Sequence, residues 1–282
     1  MLLNIGCGAV AHPAWLNLDI APQNPLALAC DLRRGLPLAD GSCDATYSSH
    51  VLEHLSASES LPFLAEQHRV LKPGGVLRVV VPDLESICNH YLQHLKALRQ
   101  GQADAEFRYR FALLELFDQG VRDFSGGDLL QAYKSANPVD VAYILQRHGD
   151  EARQHVPGGT TRTLPVAGTN PRARASLAHR LAKKLSQLRA AATRVAVHVV
   201  GGQAAAKALR VGQFRLSGEV HRTMYDSYSL SKLLQDHEFV DVRAMSAFNS
   251  RIPGFIGFEL DSLGQQVRKP DSLFVEALKP SA

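Results

Sequence analysis

The 282-residue chain carries 31 basic and 27 acidic side chains, a net charge of +4, and 45% of its residues are apolar. These proportions fit a folded globular protein and exclude a wholly disordered chain. The apolar runs are far shorter than the roughly 18–20 residues that a membrane-spanning helix needs. The start of the chain lacks the basic segment of a signal peptide, and the four cysteines form no CxxC pair, so we expect a cytoplasmic protein without a disulfide scaffold.

The first third of the sequence predicts short strands followed by alternating helices and strands. Strands are predicted at 2–5, 15–20, 27–32, 44–48 and 76–81. The last of these is nearly all β-branched, which is typical of a strand covered on both faces. Helices are predicted at 58–71 and 84–98, and Lys72-Pro73-Gly74-Gly75 ends the first of them.

The middle of the chain is predicted to be mainly helical, and the strand pattern returns near the end. Helices are predicted at 103–117, 138–154, 176–200 and 229–237, and strands at 240–245 and 272–277. The segment 156–175 has no periodicity and many Gly, Pro and Thr residues, so it is predicted to be a flexible loop. Without the middle, the alternation indicates an α/β fold with a doubly wound, mostly parallel sheet.

Three polar features follow the first three predicted strands. Gly6-Cys7-Gly8 allows a backbone to approach a ligand closely, although a tight turn alone would need the same residues. Asp19 is placed to accept hydrogen bonds from ribose hydroxyls, or to begin a turn. Asp31 is placed to accept a hydrogen bond from an adenine amine, or to cap the end of its strand. Ligands of open α/β sheets bind at these strand ends, so the three features together favour a nucleotide-like ligand.

The order of these motifs is that of a known family. LNIGCG, WLNLDI, ACDLRRGLPLADGSCDATYSSHVLEHL and HRVLKPGGVLRVVVPDL together resemble a class I S-adenosylmethionine-dependent methyltransferase of the methyltransferase-11-like type. The resemblance covers 2–86 and resumes at 221–239 and 272–280. It implies a seven-stranded Rossmann-like sheet and S-adenosylmethionine as the cofactor. A nicotinamide oxidoreductase is not indicated, because the pattern G-x-G-x-x-G is not completed.

The resemblance also implies roles for individual residues. The contacts to the cofactor would come from Asn4, Gly6, Cys7 and Gly8 for the methionine and ribose, Asp19 for the ribose, Asp31 and Leu32 for the adenine, and Ser48 and Ser49 beside the sulfonium. Asn4 stands where the family usually has an acidic residue, so it accepts a hydrogen bond but brings no charge. Too few residues separate Gly8 from Trp15 for the usual first helix.

His50 is the expected catalytic base, if the acceptor must lose a proton. It follows the fourth strand and has a suitable intrinsic pKa. Other candidates in the sequence are Glu53, His54 and Asp83. His50 and His54 also have metal-ligand spacing, but no third ligand is evident in the sequence and no metal is expected.

A second polar cluster, His221, Arg222, Tyr225 and Asp226, precedes the predicted helix at 229–237. Its side chains would either face the acceptor or cap that helix. The sequence leaves both interpretations open.

The positive charge is concentrated in one region. Residues 151–222 hold 13 basic and two acidic side chains, a net of +11, while the other 210 residues hold 18 and 25, a net of −7. The predicted helix at 176–200 sets Arg180, Lys183, Lys184, Arg189 and Arg194 among leucines. It would pack on the core with solvated charges, lie on an anionic membrane surface, or meet an anionic acceptor. Residues 176–207 contain no aromatic residue, which argues against nucleic acid.

These observations predict a cofactor-binding core at 1–98 and 218–282, with a basic insertion at 99–217 that forms the lid and acceptor pocket and is flexible near 157–175. The expected activity is methyl transfer to a small molecule or glycan. The alternative is a non-catalytic cofactor-binding domain whose insertion docks on a membrane or partner.

Overall fold

The computed structural model describes residues 1–103, 105–160 and 177–281. Its strands are Leu2–Ile5 (β1), Leu16–Asp19 (β2), Ala27–Ala29 (β3), Cys43–Ser49 (β4), Leu71–Pro82 (β5), Val240–Met245 (β6), Ser262–Leu263 (β7), Gln266–Val267 (β8) and Ser272–Leu278 (β9). Its α-helices are Ala57–Val70 (α1), Leu84–Arg99 (α2), Ala105–Val121 (α3), Gly127–Lys134 (α4), Pro138–Arg153 (α5), Leu177–Arg215 (α6) and Ser227–Asp236 (α7).

Seven strands form one sheet in the order β3-β2-β1-β4-β5-β9-β6. Strands β1 to β5 pair in parallel, and β9 runs antiparallel to both of its neighbours. The predicted α/β fold with a mostly parallel sheet is therefore confirmed. The strand order reverses between β1 and β4, and open α/β sheets bind their ligands at such a switch point.

The loop from β1 to β2 contains no helix, as the spacing between Gly8 and Trp15 predicts. Most predicted elements match observed ones within a few residues, but several features differ. Strand β5 begins at Leu71 and includes Lys72-Pro73-Gly74-Gly75, and the short strands β7 and β8 were not predicted. The predicted strand at 27–32 ends at Ala29 because a 3-10 helix begins at Leu32. Helix α6 continues to Arg215, with a break at Gly202, and α4 was not predicted because it is short and begins at Gly126-Gly127. Most of the predicted flexible loop, 161–175, lies outside the described residues.

The two faces of the sheet are covered differently. One face packs its apolar side chains against α1 and α7, with Leu64 and Leu230 among the fully buried residues. The other face is covered by the segment between β6 and β9, through contacts among Trp15, Tyr47 and Phe255. This segment, residues 246–271, is called the C-terminal segment below.

Arg78 joins that segment to the sheet. Its guanidinium is fully buried, donates to Asp261 at 2.7 Å and to Glu276 at 2.8 Å, and lies 4.5 Å from the Phe255 ring centroid. Asp261 also accepts a hydrogen bond from the Tyr47 hydroxyl at 2.6 Å. A buried charge must be paired in this way, so the position of the C-terminal segment depends on Arg78.

Helices α3 to α5 have a small apolar core of their own, centred on Phe111, Leu129 and Ile144. A buried polar contact also links α5 to α3: His148 Nε2 lies 2.9 Å and Arg147 Nη2 lies 2.6 Å from Glu115 Oε1. In α6, no side chain that the structure describes is buried, and Val195, Val199 and Val200 are exposed.

Candidate functional site

A cavity of about 440 Å³ opens at the carboxyl ends of the central strands. One side, called the strand wall, is formed at the ends of β1 and β4 by Asn4, Gly6, Cys7, Gly8, Ser49 and His50. The opposite side, called the helical wall, is formed by Gln119, Arg122, Glu151 and Gln154 on or beside α3 and α5, with Arg268 and Lys269 of the C-terminal segment. The cavity therefore lies between the sheet and the helices that are inserted into it.

The glycine loop after β1 requires both of its glycines. Gly6 and Gly8 have φ angles of +68° and +52°, which disfavour other residues. A Cβ on Gly6 would collide with the Val51 side chain, whereas the same position at Gly8 is open space on the cavity side. Between them, burial raises the pKa of the Cys7 thiol to about 12, with a further contribution from Asp19, so this cysteine is an unreactive part of the wall.

Asn4 has an unused acceptor at the cavity. Its amide nitrogen donates to Val10 O at 3.1 Å and to Asn17 Oδ1 at 3.0 Å, while its own Oδ1 is buried without a partner. A buried acceptor without a donor is uncommon in folded proteins. An amine at this end of the cavity would satisfy it.

Asp19 ends β2 and holds the glycine loop. Its Oδ2 accepts from the Gly8 backbone N–H at 2.8 Å, and its Oδ1 accepts from the Ala21 N–H at 2.8 Å. Each carboxylate oxygen can accept a second bond, so both remain available to hydroxyl groups.

The other predicted cofactor residues occupy different positions at the strand ends. Ser49 lines the cavity, whereas Ser48 is buried behind it and its Oγ has no partner. Asp31 follows β3, whose end is tied to Asp19 by the bond from Cys30 N to Asp19 O, and Leu32 packs against the apolar core. Asp19, Asp31 and Leu32 lie outside the cavity lining, so the cavity covers only part of the predicted cofactor contacts.

His50 lies at the end of β4 with φ +55°, an uncommon angle for a residue other than glycine. Its Nε2 lies 2.8 Å from Ser272 Oγ, and its Nδ1 lies 3.1 Å from Glu53 Oε1. Backbone and side-chain contacts therefore fix the imidazole at the cavity surface. A carboxylate beside Nδ1 selects the tautomer in which Nε2 has the free lone pair.

Glu53 is enclosed by three histidines. Burial opposes its ionisation, but the charge of the adjacent His50 lowers the pKa of Glu53 to about 2. Burial lowers the pKa of His54, and it lowers the pKa of His221 to about 3. The rings of His54 and His221 meet edge to face, with centroids 4.7 Å apart, and both line the cavity.

The polar cluster at 221–226 divides between the two interpretations that the sequence left open. His221 lines the cavity, while Asp226 caps α7 through the Ser229 backbone N–H at 2.7 Å. Arg222 pairs with Glu59 at 3.3 Å near the surface. Among the other candidate bases, Asp83 is the N-cap of α2 and accepts from Ser86 N at 3.2 Å.

The helical wall is held by ion pairs. Arg268 Nη1 meets Asp150 Oδ2 at 2.9 Å, and Lys269 Nζ lies 3.7 Å from Glu151 Oε2. The charge of Lys269 overcomes burial and lowers the pKa of Glu151 to about 2, so Glu151 presents a carboxylate to the cavity. Sequence reasoning named none of these residues, because α5 and the C-terminal segment are distant in sequence from the motifs.

The family model described as a methyltransferase domain matches residues 3–79, from β1 into β5. The resemblance is confirmed over these residues. This part of the chain matches a methyltransferase domain, and S-adenosylmethionine is the cofactor of that family.

The chain is also 30% identical over 128 residues to an uncharacterized 37.1 kDa protein in transposon TN4556 of Streptomyces fradiae. The match covers 42% of this chain and 35% of that protein, so the chain spans about a third of the length of this relative.

Two solved structures align with nearly the whole chain. The first, a complex between the Haloferax volcanii Trm112 methyltransferase activator and a putative methyltransferase, shares 11% identity over 99% of this chain and 82% of that chain, with a TM-score of 0.38. The second is a SAM-dependent methyltransferase from Archaeoglobus fulgidus. It shares 12% sequence identity over 99% of this chain and 85% of that chain, with a TM-score of 0.37. The strand order supports the fold assignment independently of these alignments.

The residues present fit S-adenosylmethionine. The unpartnered Asn4 Oδ1 suits the methionine amine, and the open position above Gly8 leaves room for the ligand to approach the backbone. Within the part of the chain that the structure describes, no helix has the length and apolarity needed to cross a bilayer.

Proposed function

We propose that this protein transfers a methyl group from S-adenosylmethionine to a small-molecule or glycan acceptor bound between the strand wall and the helical wall. The observation that supports this most strongly is the shared cavity: residues of the methyltransferase domain form one side, and residues of the insertion together with the C-terminal segment form the other. We further propose the division into a core at 1–98 and 218–282 and an insertion at 99–217.

The strand wall and the neighbouring ends of β2 and β3 would hold the cofactor. Asn4 and the loop Gly6-Cys7-Gly8 would bind its methionine end, Asp19 the ribose, Asp31 and Leu32 the adenine, and Ser48 and Ser49 would lie beside the sulfonium. The cofactor supplies an activated methyl group, so the protein mainly has to align the acceptor and exclude water. Alignment and exclusion would be the work of the helical wall.

His50 would remove the acceptor proton where one must leave. Its Nδ1 faces the Glu53 carboxylate, which stabilises the imidazolium that forms when Nε2 takes a proton. Ser272 Oγ lies 2.8 Å from Nε2, so an acceptor hydroxyl would have to displace this contact to reach the base. Glu151, with its carboxylate on the cavity, would orient acceptor hydroxyl groups.

Calorimetry with S-adenosylmethionine and with its demethylated product tests binding first. We expect saturable binding of both at one site per chain. Folded protein that gives no heat with either ligand would contradict the proposal. Turnover is then measured with a panel of hydroxylated small molecules and oligosaccharides, where binding without any turnover would favour a non-catalytic domain.

The part of α6 whose side chains the structure describes supports a second candidate function, docking on an anionic membrane surface. Residues 189–215 contain five Lys/Arg and no Asp/Glu, and exposed valines lie between them. Neutralising Arg189, Arg194, Lys207 and Arg210 would then abolish binding to anionic vesicles and leave cofactor affinity unchanged. Equal vesicle binding by the variant would exclude this candidate. If this positive charge binds an anionic acceptor instead, the same variant should show a higher KM for the acceptor.

A further inference from the structure

Three potential metal ligands converge beside the cavity: Glu53, His54 and His221. Their ligand atoms lie within 4.8 Å of one another. The Glu53 side chain is fully buried; His50 Nδ1 lies 3.1 Å from its Oε1, while its Oε2 has no partner. Nδ1 of His54 is also buried without a partner. Native proteins rarely leave such groups unsatisfied, so their convergence at one point calls for a ligand.

The backbone fixes this arrangement, so it does not depend on side-chain rotation alone. Glu53 and His54 belong to the 3-10 helix Leu52–His54. The Glu53 carbonyl accepts from the backbone N–H groups of Arg222 at 2.7 Å and Thr223 at 3.2 Å, which directly follow His221. The His221 N–H donates to Gln119 O on α3 at 2.9 Å. Three separate parts of the chain are therefore tied together at the cluster.

The orientation of His54 suits a metal ligand. One of its ring nitrogens makes a hydrogen bond to the Val220 backbone. Because Nδ1 has no partner, that bond belongs to the other ring nitrogen, and metal-binding histidines are commonly oriented by such a bond.

We propose that Glu53, His54 and His221 bind one divalent first-row transition metal ion in a 2-His-1-carboxylate site. Imidazole and carboxylate ligands in this ratio are used for zinc and iron(II) sites that keep open coordination positions. The open positions would face the cavity, because His54 and His221 line it. The carboxylate has two oxygens, so Glu53 can bind the metal while Oε1 remains near His50.

In the sequence, His50 and His54 have metal-ligand spacing, but no third ligand with suitable spacing is evident. The fold supplies that ligand from position 221, more than 160 residues further along the chain. Metal binding is measured without S-adenosylmethionine, so its outcome is independent of the proposed methyl transfer.

The first test uses the full-length protein after treatment with a chelator. Zn²⁺ is titrated by calorimetry and Co²⁺ by visible absorption, since the d–d bands of Co²⁺ report its coordination. We expect one ion per chain and a spectrum of a low-coordinate nitrogen and oxygen site. No saturable binding, or binding without that spectrum, would overturn the proposal before any variant is made.

Variants then locate the ion. His54→Gln, His221→Gln and Glu53→Gln should each weaken Zn²⁺ binding by more than the roughly 10–100-fold that loss of an outer-shell partner costs. His198→Gln, an exposed histidine on α6, is the matched control and should bind as the wild type does. Circular dichroism checks the folding of each variant.

A second histidine pair is an alternative location for the ion. His90 and His94 stack on α2 with ring centroids 5.8 Å apart. If His90→Gln abolishes binding while the folded His221→Gln variant retains it, the ion belongs to α2 and the proposal fails.

Discussion

The two walls of the cavity differ in how they are built. The strand wall consists of short segments that follow β1 and β4, and backbone groups or small side chains form most of it. The helical wall consists of charged side chains held by ion pairs between α5 and the C-terminal segment. The first wall depends on local backbone geometry, whereas the second depends on contacts between distant parts of the chain.

The largest expected effect concerns the support beneath the helical wall. Arg78→Met removes the buried cation that Asp261 and Glu276 share, although Glu276 keeps Arg251 at 3.3 Å, so we expect the free energy of unfolding to fall by about 3–5 kcal/mol. Urea unfolding measures this change. Arg243→Met is the control, because Arg243 is exposed on β6, and it should change stability by less than about 0.5 kcal/mol. Equal effects of the two substitutions would show that the buried pairs do not support the segment.

Gly149→Ala should damage the helical wall alone. Gly149 has φ +52°, and a Cβ there would collide with the Arg268 backbone carbonyl, so α5 and the C-terminal segment must separate. A displacement of about 1 Å can lower catalytic rate roughly 100-fold, and we expect a loss of that order in methyl transfer with unchanged cofactor affinity. Gly158→Ala, with φ +73° and open space around it, separates the collision from backbone strain. A similar loss of activity in both variants would contradict this interpretation.

Asp19→Ala tests the strand wall. Removing charge-assisted hydrogen bonds to the ribose and to the Gly8 N–H should weaken cofactor binding by about 1–3 kcal/mol. Calorimetry with the demethylated cofactor measures the dissociation constant. Asp44→Ala provides the control, because Asp44 is an exposed carboxylate that pairs with Lys72 and does not hold the glycine loop. An unchanged constant for Asp19→Ala would disprove the ribose assignment.

The smallest effect is a pH dependence of the contact between α3 and α5, the two helices that carry part of the helical wall. Burial opposes the charge of His148, but Asp271 and Glu115 favour it and raise its pKa above 6.5. Burial opposes the charge of Glu115, but His148 and Arg147 lower its pKa below 4.5. Because the pKa of His148 is raised, its charge stabilises the fold below pH 6.5, and this contribution is lost as the pH rises. Because the pKa of Glu115 is lowered, its charge stabilises the fold above pH 4.5, and this contribution is lost as the pH falls.

Stability from this contact should therefore be greatest between about pH 4.5 and 6.5. Urea unfolding at several pH values should show a decline above pH 6.5 that His148→Gln removes. His198→Gln, exposed on α6, should keep the decline. A His148→Gln protein with the same slope as the wild type would rule out this histidine as the source.

The same contrast explains what the sequence could predict. Strand ends are encoded by neighbouring residues, so β1, β4 and the glycine loop were recognisable from short motifs, and the absence of a helix before Trp15 followed from spacing alone. The sheet order and the end of β3 at Ala29 depend on pairing between strands, which the alternation pattern indicates only in outline.

The helical wall was not predicted because its residues have no local motif. In the sequence, Glu151 and Lys269 look like ordinary surface charges. Only the fold shows that they pair, because α5 lies against the C-terminal segment. Arg78 likewise interrupted an apolar run for no reason visible in the sequence, and its partners Asp261 and Glu276 lie almost 200 residues away. His221 was noticed, but its partnership with Glu53 and His54 required the fold.

A crystal structure with the demethylated cofactor bound would test the central proposal most directly. We predict the adenosine along Asp19 and Asp31, the amine at Asn4, and the sulfur at the end of β4 beside His50, facing the helical wall. A sulfur atom turned away from the cavity, or a ligand bound elsewhere with the strand wall empty, would contradict the proposal that the two walls form one methyl-transfer site.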